Sequence, residues 1–143
     1  MRFVAVFDTN VLLSAVGWRG KPFQCLELAR ARTIEAVICA EILNELAEKL
    51  EVRLRLPLDA VTATLADLLT VLGVVQIPNE LRVIDSDPDD DKVLECAIMA
   101  QATHIVSGDR RHLLPLGNFR GISIVSPAEF LRLVTNDTGS MIT

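Results

Sequence analysis

The sequence predicts a three-layer α/β/α sandwich built on a five-stranded parallel sheet. Three observations carry that reading. Short, almost wholly apolar runs recur along the chain, as strands covered on both faces require. Segments with a helical apolar period separate them. The length, 143 residues, is that of about one domain, with half of the residues apolar and 23% charged.

Residues 3–7 (FVAVF) are aromatic or apolar throughout and form the first strand. A short helix follows over 10–16, and a second over 22–32, with Pro22 tolerated in its first turn. Residues 34–39 (IEAVIC) are the second strand. In 40–50, Ile42, Leu43, Leu46 and Leu50 line one face of an amphipathic helix. Residues 58–72 are another helix, with Asp59 as its N-cap, and 74–77 a third strand stopped by Pro78. The acidic run DSDPDDDK breaks the pattern before a helix over 90–102. His104–Val106 and Ile122–Val125 are the fourth and fifth strands, and 127–133 a last helix capped by Ser126. Strands alternating with helices imply a doubly wound sheet with right-handed crossovers. Residues 1–134 read as one domain and 135–143 as a flexible polar tail.

Composition narrows the function. Three well-separated cysteines without a C-x-x-C pair argue against a disulfide framework or a zinc site. No apolar run reaches the ~18 residues of a membrane span, and no signal-type segment precedes the first strand. A cytoplasmic protein is the expectation. The net charge of −5 weighs against a nucleic-acid partner.

The acids answer that objection. In open α/β sheets the site lies beyond the carboxyl ends of the strands. Asp8 ends the first strand and Asp109 follows the fourth; Glu45 lies on the helix after the second, and Asp91 in the first turn of the helix entering the fourth. Four carboxylates at one edge repel unless a cation joins them, and hard oxygen donors suit Mg²⁺ or Mn²⁺. Each also has a plainer reading. Asp8 caps a helix, Asn10 occupies a turn, Glu45 is a solvated helical residue, and Asp109 is a turn aspartate. Asp87, Asp89, Asp90 and Asp91 are loop and helix-start charges. His104 and His112 read as surface or strand-edge residues. The weight rests on the convergence.

Four stretches, VFDTNVLLSA, ICAEILNEL, DPDDDKVLECA and IVSGDRRHLL, resemble the PIN-domain family in order and spacing, and in flavour the VapC-like toxins of prokaryotic toxin–antitoxin pairs. The resemblance implies a Mg²⁺- or Mn²⁺-dependent ribonuclease cutting single-stranded RNA. Asp8, Glu45, Asp91 and Asp109 then match the family acids, the last two at the usual step of 18 residues. Asn10 and Ser107 match its supporting polar positions. Asp90 shares or takes the third position, a one-residue ambiguity. Cys39 stands where the family commonly has serine. An antitoxin partner and a homodimer are further implications. The basic residues Arg19, Lys21, Lys92, Arg110 and Arg111 lie near the motifs and are candidates for holding RNA phosphates, with a solvated surface as the alternative. A receiver domain would need an aspartate after the third strand and a lysine after the fifth, and a haloacid-dehalogenase-type phosphatase a D-x-D after the first. The chain has QIPNE, no such lysine, and Asp8-Thr9-Asn10. A PIN scaffold that binds RNA or protein without cutting is the remaining alternative.

Overall fold

The computed structural model describes residues 2–83 and 88–142, apart from the side chains at 88–89 and 138–142. The acidic loop positions Asp85 and Asp87 and the Asp89 side chain therefore lie outside the described residues. In chain order the elements are β1 (Val4–Phe7), α1 (Thr9–Gly17), α2 (Lys21–Arg30), β2 (Glu35–Cys39), α3 (Ala40–Val52), α4 (Leu58–Val71), β3 (Gly73–Val75), α5 (Pro88–Met99), β4 (His104–Val106), α6 (Leu113–Leu116), β5 (Asn118–Phe119), β6 (Ile122–Val125) and α7 (Pro127–Ile142).

The sheet runs β3-β2-β1-β4-β6-β5. β1 pairs parallel with β2 and β4, β2 with β3, and β4 with β6. The five expected strands are thus parallel neighbours, and a sixth, β5, adds antiparallel to β6. Strand β5 is two residues long, too short to show an alternating pattern. A tight hairpin makes it: Arg120 and Gly121 both have positive φ, 52° and 86°, as a type I′ turn needs. Asn118 Oδ1 accepts the Gly121 N–H at 3.1 Å across that turn.

β1 lies in the middle of the sheet, and Ala5, Val6 and Phe7 are buried. On one side Phe130 of α7 sits edge-on to Phe3 and Phe7, with ring centroids 5.8 and 6.5 Å apart. Leu12, Ile42, Leu46, Leu50 and Leu94 complete the core from α1, α3 and α5. The three cysteines are buried free thiols, as their spacing suggests.

Several boundaries shift from the sequence reading and the short helix α6 is added to it; two of the differences have a clear local cause. Pro57, not Asp59, is the N-cap of α4; Asp59 sits in the first turn, where its carboxylate accepts the Ala60 N–H. Helix α7 begins as expected, with Ser126 Oγ accepting the Glu129 N–H, but continues to Ile142 through the stretch read as a tail. Once a helix is nucleated on a packed base, each further residue adds a backbone bond at little cost.

Candidate active site

The chain turns outward from β1 to β2 and β3, then returns to the other side of β1 with β4. The strand order therefore reverses between β1 and β4, where α/β sheets open a crevice. Asp8 and Ser107 leave the carboxyl ends of those two strands. The Asp8 N–H bonds Val106 O at 3.0 Å, so the ladder extends to the acid itself.

Ser107, fully buried, clamps two acids. Its hydroxyl donates to Asp8 Oδ2 and accepts the Asp109 N–H at 2.9 Å. Asp8 Oδ1 accepts the Val11 N–H at 2.8 Å and so caps α1, which fulfils the plain reading without removing the carboxylate from the crevice. Burial pushes the Asp8 carboxyl above its ordinary value, and Asp109 adds to the effect. The Ser107 hydroxyl and the Val11 and Gly108 N–H groups oppose it. Burial also raises Asp109, but the donors around it win. The Arg111, His112 and Leu113 N–H groups and a hydrogen bond shared with Asp90 hold it below the ordinary value.

Helix α5 decides which acid of its first turn enters the crevice. Asp90 lines it beside Val93. Asp91, 3% exposed, is not among the lining residues; its Oδ1 accepts the Val83 N–H at 2.9 Å. One turn further along the same face, Glu95 Oε2 accepts the Glu80 and Leu81 N–H groups at 3.0 and 3.3 Å. Asp91 and Glu95 thus fasten segment 80–83 to the helix, and Asp90 faces the crevice.

The crevice holds about 450 Å³ and is lined by Asp8, Asn10, Glu45, Lys49, Asp90, Asp109, Arg111 and His112, among others. His112 Nδ1 lies 3.3 Å from Asp90 Oδ2 and 3.6 Å from Asp109 Oδ2. Ligand atoms of Asp90, Asp109 and His112 fall within 4.8 Å of one another, a spacing a single ion can span. Glu45 stands apart from that group, paired with Lys49 at 3.1 Å. A larger hollow of about 740 Å³ lies against Arg2, Arg30 and Arg32 at the amino ends of the strands. Its carboxylate, Glu35, is tied to Arg2, so no acids converge there.

The structure therefore gathers Asp8, Asn10, Glu45, Asp90 and Asp109, with Ser107 behind them, and leaves Asp91 outside. Of the basic candidates, Arg111 lines the crevice. Arg110 is exposed next to it. Arg19 lies over the Phe23 ring at 5.3 Å, and Lys21 opens α2. Lys92 sits near Glu41, a carboxyl held below its ordinary value mainly by the Asn79 amide. Two titratable lining residues, Lys49 and His112, are not site candidates in the sequence reading. Lys49 carried a usable signal, its i, i+4 spacing from Glu45 on one helix face. His112 carried none, because a loop folding back, not a period, brings it to Asp90.

Comparison with known proteins agrees with this geometry. The PIN domain family matches residues 4–111, and the chain belongs to that family, whose members are generally nucleases. No curated protein matches the chain in sequence. In fold it is similar to VapBC2 from Rickettsia felis bound to a DNA fragment from its promoter, with a TM-score of 0.59 and 14% identity over 85% of this chain and 97% of that one. It is also similar to the RRP44 PIN domain of T. brucei, with a TM-score of 0.52 and 16% identity over 100% of this chain and 88% of that one. At such identities the likeness is one of fold.

Proposed function

We propose that this PIN domain is a Mg²⁺- or Mn²⁺-dependent ribonuclease that hydrolyses phosphodiester bonds of single-stranded RNA in the cytoplasm, as the toxin of a toxin–antitoxin pair. One observation carries the reading: Asp8, Asp90 and Asp109, from three separate parts of the chain, line the β1/β4 crevice, and there the ligand atoms of Asp90, Asp109 and His112 have a spacing that fits one cation. Buried like charges are costly, and a binding site for a cation gives them a reason to converge. Carboxylate oxygens favour Mg²⁺ or Mn²⁺ over softer metals.

Asp8, Asp90 and Asp109 are the residues that would hold the ion. Once bound, a divalent ion supplies charge against the developing phosphoryl oxyanion and lowers the pKa of water. The chain's own groups set the geometry. Ser107 fixes Asp8 relative to Asp109, and His112 orients Asp90 and Asp109. Arg111 offers a guanidinium for phosphate at the rim. With a lone tryptophan, no tyrosine and five phenylalanines, base stacking contributes little, so affinity is modest and salt-dependent. The fold shared with VapBC2 supports an antitoxin partner, and the VapC-like resemblance implies a homodimer. Among the described residues no helix is long and apolar enough to cross a membrane.

Cleavage of a mixed single-stranded RNA pool, with Mn²⁺ and with EDTA, tests the reading. Cleavage that stops in EDTA and in Asp109→Asn supports it. RNA that is bound but left intact by the wild type points to a non-cutting scaffold.

A further inference from the structure

We propose that Lys49 is the second cation of the crevice, meeting substrate phosphate beside Glu45 and Asn10, so that the protein binds one divalent ion and not two. This rests on the nuclease reading above. Glu45 and Lys49 lie one turn apart on α3. Lys49 Nζ is 3.1 Å from Glu45 Oε1 and donates to Asn10 Oδ1 at 2.9 Å, so it bridges α3 to the first turn of α1. The Lys49 and Glu45 side chains are each 20% exposed, close enough to solvent for a substrate to reach.

The charges divide the crevice in two. On one wall Asp90, Asp109 and His112 bring their ligand atoms within 4.8 Å of one another, and Glu45 is outside that set. On the other wall the Glu45 carboxylate already has an ammonium against it. A divalent ion at Glu45 would have to displace that ammonium and then sit beside it, and repulsion between two cations at this range opposes both. An ammonium carries three N–H donors. Glu45 and Asn10 take two, which leaves one for a phosphate oxygen and points the lysine along the crevice as a compact charge. Lys49 thereby supplies without metal the second positive centre that a phosphodiester in this crevice would meet.

Two measurements on the full chain test this. The first is binding of a single-stranded RNA oligonucleotide by fluorescence anisotropy in EDTA, across a salt series, for the wild type, Lys49→Met and Lys49→Arg. Loss of one phosphate contact should flatten the slope of log affinity against log salt by about 0.7 in Lys49→Met, with Lys49→Arg close to wild type. The second is calorimetric titration with Mn²⁺ alone of the wild type, Glu45→Gln and Asp109→Asn. One ion should bind wild type and Glu45→Gln with affinities within about threefold of each other, and Asp109→Asn should lose at least tenfold. Equal salt slopes for wild type and Lys49→Met would overturn the proposal, as would a Glu45→Gln loss matching that of Asp109→Asn. A merely structural tie between α3 and α1 would change melting temperature and leave the salt slope alone. If Lys49→Met fails to fold, the Glu45→Gln titration decides. A wild type that binds RNA but no Mn²⁺ sinks the metal-dependent reading, while the salt slopes still judge Lys49.

Discussion

Asp90 and Asp91 are adjacent in sequence and opposed in space: Asp90 lies 3.3 Å from His112 inside the crevice, whereas Asp91 turns into the protein to accept the Val83 N–H at 2.9 Å. Successive helical residues are rotated by about 100°, which separates the two roles. Asp91 and Glu95 fasten segment 80–83 to α5, and that attachment fixes the rotation which aims Asp90 at Asp109.

Asp90→Asn and Asp91→Ala should therefore fail in different ways. Asp90→Asn should keep the fold and lose Mn²⁺ binding, so the thermal stabilisation by metal disappears; for the wild type it is about 2.7 kcal/mol at 100 times the dissociation constant. Asp91→Ala should lose about 1–3 kcal/mol because the Val83 N–H loses its partner, and should retain the metal-induced shift. Thermal melts with EDTA and with Mn²⁺ check both. The opposite pattern would return the ligand role to Asp91.

Ser107→Ala removes the hydroxyl that joins Asp8 to Asp109. The buried carboxylate loses a donor and the Asp109 N–H an acceptor, for a loss of about 2–3 kcal/mol in denaturant unfolding. With the two acids no longer held in register, cleavage should fall about 10–100-fold. Ser107→Thr restores the hydroxyl and should recover most of the rate. Equal rates for the alanine and threonine variants would contradict the clamp.

His104 supplies the pH dependence. It is 7% exposed and packs on Phe3 and Phe130 at 5.2 and 5.6 Å between ring centroids. Burial pushes its pKa below the ordinary 6.5. The folded state then binds fewer protons than the unfolded state, so stability rises with pH in this window and falls as the solution is acidified below about 6.5. His104→Phe keeps a ring in the core and removes the titration. Its melting temperature should decline less than that of the wild type between pH 7.5 and 5. Parallel curves would show that His104 does not titrate on unfolding.

The hairpin that makes β5 places Gly121 in the left-handed region. Apart from its chain neighbours, no heavy atom lies within 4 Å of where a Cβ on Gly121 would stand, yet its φ is 86°. Gly121→Ala should thus cost about 1–2 kcal/mol through the left-handed conformation, without a clash. A change below 0.3 kcal/mol, on the order of measurement error, would show that the turn relaxes to another type.

By itself the sequence determined the five parallel strands, the longer helices between them, and the edge at which the acids gather, because those follow from local apolar periodicity and from the rule that α/β sites open at strand carboxyl ends. It also marked the residues that leave β1 and β4, since Asp8 and Asp109 stand directly beyond those strands. Tertiary structure alone decided the rest. Periodicity identifies α5 but not its rotation about its own axis. That rotation depends on Asp91 and Glu95 finding the N–H groups of segment 80–83, partners up to 15 residues away. Helix α7 continues past its apolar stripe because propagation from a packed base needs no further pattern. The two-residue β5 exists only because β6 offers it a partner. His112 enters the crevice because the loop after β4 folds back over α5. Each of these is a long-range choice between local alternatives of nearly equal free energy, and only the assembled core breaks the tie.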